Sequence, residues 1–454
     1  MPRPLVITLL LVVFSLPVQA RVNEFELSNG MKVIVKEDHR APVVVSQIWY
    51  KVGSTYEHNG ITGVSHVLEH MMFKGTARHP AGEFSRIIAE NGGRENAFTA
   101  RDYTAYFQQL HKDRLPIALE LEADRMRNLQ LPTAEFAKEV QVVMEERRLR
   151  TEDDPQALTF EQFNAAAFQV SPNRNPIIGW MDDLKNLAIE DLQAWYRRWY
   201  APNNATLVVV GDVDPQRVLA LARTHFGPLP AARIEDLKPR REPVQRGLRR
   251  ITVKAPAQLP VLVMGYKTPN IATADAPWEP YALEVLAGVL DGGASARLAR
   301  NLVRGQQIAT SAGAGYSLYS RLPGLFTFSA VPGNGHEVAA VERALRAEIE
   351  RIRTEPATAD ELKRVKTAVV ASAVYQRDSL FYQAMQIGTT ETIGLGHEVL
   401  DEYVARIQAV TAEQVQAVAE KYLVEDALTV AVLEPQSMAA GTPPSPVAGG
   451  RHGG

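Results

Sequence analysis

The second part of this chain repeats the plan of the first in weak form, and that repeat narrows the folds open to it. Residues 25–36 read as a hairpin around an Asn-Gly turn, and residues 43–52 as an apolar strand. Helical spacing follows at 81–90, 115–127, 133–150 and 189–200, then a buried strand at 205–210 and a closing helix at 214–225. After a break, strands at 250–253 and 261–266 mirror the opening ones, and a helix at 281–290 stands where the first unit has one near residue 66. Helices at 337–353, 359–375 and 412–422 and a strand at 428–433 complete the echo. A chain of 454 residues is long enough for two domains. The expectation is an α+β protein of two homologous α/β-sandwich halves, 21–227 and 248–435. Residues 228–247, rich in Pro and Arg without an apolar period, read as an exposed linker. Residues 436–454, rich in Pro, Ala and Gly, read as a disordered tail.

The first twenty residues have a different character. Arg3 precedes an apolar run from Leu5 to Phe14, and Val18-Gln19-Ala20 has the form of a signal-peptidase site. The expectation is a signal peptide over 1–20 and a mature chain from Arg21. The product would be exported, and periplasmic in a Gram-negative cell, with no stable membrane span after cleavage. The net charge of −3, without a dense basic block, argues against a nucleic-acid partner. The chain has no cysteine, so any metal must be held by His and Asp/Glu.

Those ligands are at hand in Gly63-Val64-Ser65-His66-Val67-Leu68-Glu69-His70. Histidines four apart lie one above the other on a helix, where one tetrahedral zinc could take both. Glu69 shares the face of His66 and is adjacent to His70, the place for a general base acting on the attacking water. H-x-x-E-H is the inverted form of the H-E-x-x-H zinc-peptidase motif. Two histidines leave a zinc site in need of a further protein donor. In Glu139-Val140-Gln141-Val142-Val143-Met144-Glu145-Glu146, the acids Glu139 and Glu146 are two turns apart and face the same way. Spacing alone leaves Glu145 as a rival. Gly92-Gly93-Arg94-Glu95-Asn96-Ala97-Phe98-Thr99 reads as a glycine turn leading into strands.

With these motifs the sequence resembles the pitrilysin/insulinase metallopeptidases, which include the mitochondrial processing peptidase, over almost the whole mature chain. The resemblance implies two similar domains closing like a clam shell, with one zinc ion per chain held by His66, His70 and Glu146. Seventy-five residues separate His70 from Glu146, the interval of that family. Glu69 would be the catalytic base and Glu139 the carboxylate supporting the site. Asn96 and Ala97 would form a strand edge that pairs with an extended peptide substrate.

One departure stands out. Many members carry an Arg and a Tyr seven residues apart in the half without zinc. Arg304 fits the first, but the matching segment offers Thr310 or Ser311 in place of the tyrosine, with Tyr316 further along. This points to a heterodimer in which a homologous subunit without zinc supplies the pair; a homodimer is the alternative. The competing reading is a non-catalytic binding or assembly subunit that keeps the fold. Glu57 is a candidate buttress for the zinc helix or a loop cap. His39, His58, His79, His111, His225, His336 and His397 read as residues outside the site.

Overall fold

The computed structural model describes residues 22–235 and 237–437. The expected signal peptide and most of the expected tail lie outside this range. The first half contains β1 (Val22–Glu26), β2 (Lys32–Glu37), β3 (Val43–Tyr50), α1 (Val64–Met71), α2 (Glu83–Glu90), β4 (Arg94–Thr99) and β5 (Thr104–His111). It continues with α3 (Leu115–Asn128), α4 (Thr133–Arg147), α5 (Pro155–Ala167), α6 (Met181–Asn186), α7 (Ile189–Trp199), β6 (Ala205–Gly211) and α8 (Pro215–His225). The second half opens with β7 (Arg249–Pro256), β8 (Val261–Thr268), α9 (Glu279–Asp291), β9 (Ala309–Gly315) and β10 (Gly324–Pro332). It ends with α10 (Val338–Thr354), α11 (Ala359–Gln376), α12 (Leu380–Thr392), α13 (Val399–Ala409), α14 (Ala412–Tyr422) and β11 (Leu428–Gln436).

The two sheets run β1-β2-β6-β3-β5-β4 and β7-β11-β8-β10-β9. Leaving out β1, they match strand for strand, so the repeat seen in the sequence is a repeat of topology. Two expected boundaries move. The long acidic helix ends at Arg147 and continues as a π turn over Arg148–Glu152. Gln436, expected as the first residue of the tail, is still in β11, which pairs in parallel with β7 and sets it opposite Pro256.

Each sheet buries both faces, as alternation along the strands requires. In the first half Val44, Ile48, Leu207 and Val209 join α1, α3, α4 and α7 in one core. Their neighbours Val45, Trp49, Val208 and Val210 face the other way, onto Ala384 and Ile387 of α12. The second half mirrors this: Leu262 and Met264 pack with α9 and α10, while Val261, Val263, Ala431 and Leu433 meet Phe163 of α5. The halves therefore exchange one helix each. The fit is close enough to specify glycine. A Cβ at Gly388 would lie 1.9 Å from the Trp49 ring, and one at Gly265 would lie 2.6 Å from Phe163. The sequence analysis anticipated neither α5 nor α12, nor the β9–β10 hairpin.

Among its described residues the linker contains no helix or strand, but it is anchored midway. The Glu242 carboxylate accepts from the backbone N–H groups of Gln169, Val170 and Ser171 and from Lys267 at 2.6 Å. Burial works to raise the pKa of Glu242, but Lys267 and the three N–H groups outweigh it and bring it down to about 2. No helix among the described residues is long and apolar enough to cross a membrane.

Candidate active site

Helix α1 is set by its ends and its apolar face. Gly63 caps it in the left-handed region (φ +88°), and a Cβ there would come within 2.6 Å of the Ile178 carbonyl oxygen. Glu57, 1% exposed, accepts from the Gly63 N–H at 2.8 Å and the Ser65 N–H at 2.9 Å, supplying the acceptors that the first turn lacks. Burial pushes Glu57 up to about 7, against the pull of these two N–H groups. Val64, Val67, Leu68 and Met71 are fully buried. His66, Glu69 and His70 are left on the face toward α4 and β4.

There the side chains converge. Glu146 Oε2 of α4 lies 3.8 Å from His66 Nε2 and 3.5 Å from His70 Nε2. Four donors each about 2.0–2.1 Å from one tetrahedral zinc are roughly 3.3 Å from one another, so this spacing suits that ion. Burial, with His70 beside it, pushes His66 down to about 3, which keeps the ring in the neutral form a metal needs. The donor set, two imidazoles and a carboxylate, fits zinc and leaves a coordination position open.

Supporting contacts fix the ligands. Glu139 Oε2 is 3.2 Å from His70 Nδ1, which directs Nε2 toward Glu146, and Lys74 holds the other Glu139 oxygen at 2.5 Å. Arg150, brought back by the π turn, takes Glu146 Oε1 at 2.7 Å. Glu145 faces away, 64% exposed and paired with Arg148, so the rival ligand points to solvent. Burial raises Glu69, opposed by the Thr99 hydroxyl that donates to it at 2.5 Å. A carboxylate so placed is suited to accept and return a proton.

The same architecture recurs in known proteins. Residues 32–180 match the description "Insulinase (Peptidase family M16)", and residues 186–369 match "Peptidase M16 inactive domain". A zinc protease of Helicobacter pylori, PqqE, is 33% identical over 75% of this chain and 76% of its own. The chain belongs to the M16 peptidase family. A crystal structure of a protease from H. pylori superposes with a TM-score of 0.86 at 29% identity, covering 92% of this chain and all of that one. A Pseudomonas fluorescens structure described as a peptidase M16 inactive domain shares the fold, with a TM-score of 0.82 at 19% identity over 94% of this chain and all of that one.

The remaining M16 candidates separate. Asn96 and Ala97 lie on β4, the edge strand of their sheet and the neighbour of α1. Asn96 is exposed, and its side-chain oxygen accepts the Ala97 N–H. Arg304 makes no hydrogen bond or ion pair with the metal-ligand candidates: it is exposed and donates to the Ala294 carbonyl at 2.5 Å. Thr310 bonds the Val331 carbonyl, and the Tyr316 hydroxyl is taken by the Pro269 carbonyl at 2.7 Å. His58 lies against the Asn59 carbonyl, His39 against Asp212 and His397 against Glu391. Lys74, Thr99 and Arg150 escaped the sequence reading as functional residues. The signals that could have found them were the helical offset of Arg150 from Glu146 and the place of Thr99 at the end of the Asn96-Ala97 motif.

Proposed function

We propose that this protein is an exported zinc-dependent endopeptidase acting on extended or unfolded peptides. The observation that carries the reading is the convergence of His66, His70 and Glu146 at ligand spacing with Glu69 beside them. His66 Nε2, His70 Nε2 and Glu146 Oε2 would hold the metal. When bound, zinc supplies Lewis acidity that polarises the scissile carbonyl and acidifies water. Glu69 takes a proton from the attacking water and returns it to the leaving amine. Glu139 and Lys74 keep His70 oriented, and Thr99 keeps Glu69 aimed. The substrate backbone adds to the free edge of β4 at Asn96 and Ala97, which selects extended chains over folded ones.

Arg304 and the lack of a nearby tyrosine support a division of labour, in which a homologous subunit without zinc, or a second copy of this chain, completes the substrate site. The signal sequence supports export, into the periplasm if the cell is Gram-negative. The test is hydrolysis of a quenched-peptide library by the chain from Arg21, with Glu69→Gln as blank and metal content measured on both. Zinc-dependent cleavage absent from the blank supports the peptidase. A zinc-free protein that ignores added zinc, and stays inert with its homologous subunit, favours a non-catalytic assembly role.

A further inference from the structure

A cavity of about 1170 Å³ lies beneath the linker, between the two halves and apart from the metal ligands. Tyr56, Phe168 and Pro172 wall it from the first half, and Thr268, Pro323 and Tyr422 from the second. The linker from Leu237 to Arg246 forms the roof, held down by Glu242. A concave, mostly apolar space with a few polar groups is the usual form of a small-molecule site, and its size is somewhat above the roughly 300–1,000 Å³ such sites span.

The charge around it is one-sided. Lys238, Arg240, Arg241 and Arg246 line the roof, and among the described residues none has an ion pair or side-chain hydrogen bond. The other cations are committed: Lys267 to Glu242, Lys421 to Glu279 and Arg321 to Asp102. Among the described lining residues only Asp275 and Asp426 stand as free acids against the four free cations. Thr268 lines the wall, and its buried hydroxyl, in a residue 2% exposed, has no hydrogen-bond partner. An unpartnered buried hydroxyl is destabilising, and a ligand acceptor that reached it would relieve that cost.

We propose that this cavity binds an organic anion with an apolar body, its carboxylate at the Arg240–Arg241 rim and its body between Tyr56, Phe168 and Tyr422. The wall segment Thr55–Glu57 links it to α1, because Glu57 caps the helix that bears His66 and His70. Thr55 ties the same segment to the second half: Arg321 donates to its hydroxyl, which donates to Asp102. Occupancy therefore bears on the active site; this second clause rests on the peptidase reading, and the binding itself does not.

Calorimetry on the chain from Arg21 tests the binding with decanoate, N-acetyl-leucyl-phenylalanine and decylamine. Binding of decanoate marks an acyl ligand, binding of the dipeptide marks a peptide carboxylate, and decylamine should not bind. The exposed rim variant Arg240→Glu/Arg241→Glu should weaken the bound carboxylate at least ten-fold, and Thr268→Val several-fold. Equal binding of decylamine, failure of both carboxylates, or wild-type affinity in the rim variant would overturn the site. In the hydrolysis assay, saturating carboxylate should change kcat of the wild type and leave the rim variant unchanged. An unchanged kcat with intact calorimetric binding overturns the coupling alone.

Discussion

Helices α1 and α9 occupy the same place in two matching sheets, yet one carries a metal-ligand set and the other does not. Both bury an apolar stripe: Val64, Val67, Leu68 and Met71 in α1, and Ala282, Leu283, Val285, Leu286 and Val289 in α9. They differ on the face toward α4 or α11. His70 meets Glu139 of α4, whereas a Cβ at Gly288 would meet Val365 of α11 at 2.7 Å. Taking Gly288 as the counterpart of His70 puts Glu284 and Ala287 at the places of His66 and Glu69, and Ser372, seven residues beyond Val365, at that of Glu146. All of these line a cavity of about 750 Å³. Burial pushes Glu284 up to about 7, against the Tyr403 hydroxyl that bonds to it. The difference teaches that the fold rests on the apolar stripe. The chemical face can be lost in one half without disturbing the sheet beneath it.

The comparison breaks most sharply at the base. Glu69→Gln should retain zinc on elemental analysis and lose about 10²–10⁴-fold in kcat, the usual worth of a positioned acid–base group. Glu284→Gln should leave both zinc and kcat unchanged. A loss of zinc or turnover in the second variant would mean that the two faces are not functionally distinct.

Exchange of helices is the feature the halves share, and Phe163→Ala attacks it. Removing this buried ring from the second sheet should cost about 3–5 kcal/mol in urea unfolding, with activity at low denaturant retained. A cost near zero would show that α5 is not what holds the second sheet. Smaller again, Glu139→Gln should lower zinc affinity or kcat by about 10–100-fold, as loss of a ligand's supporting carboxylate does. Titration with a zinc-buffered chelator separates the two.

The last expected effect depends on pH. A carboxyl raised from 4.5 to about 7 on folding favours the folded state below pH 4.5 and loses that contribution as pH rises through 7. Glu284→Gln should therefore gain stability relative to wild type between pH 4.5 and 7, then hold that gain at higher pH. Urea midpoints at four pH values across this window would check it, and parallel curves would remove Glu284 from the account of the vacated face.

Local rules made much of this legible. Period-two strands and period-3.6 helices located the repeat, and His66, Glu69 and His70 announced themselves through a spacing that only a helix makes meaningful. Glu139 and Glu146 shared a face by the same rule. Choosing Glu146 over Glu145 required knowing which side of α4 meets α1. Thr99 was part of a motif without a role, since nothing in the sequence brings β4 against Glu69.

The sequence by itself determined most of the elements, the doubling of the plan and the candidates for the chemical face, because each follows from periodicity within a few turns of chain. Only the tertiary structure decided the exchange of α5 and α12, the bond from Thr99 to Glu69, the bond from Arg304 to Ala294 and the cavity under the linker. Those depend on contacts between residues from ten to hundreds of positions apart, where a local pattern carries no information about which surface will be met.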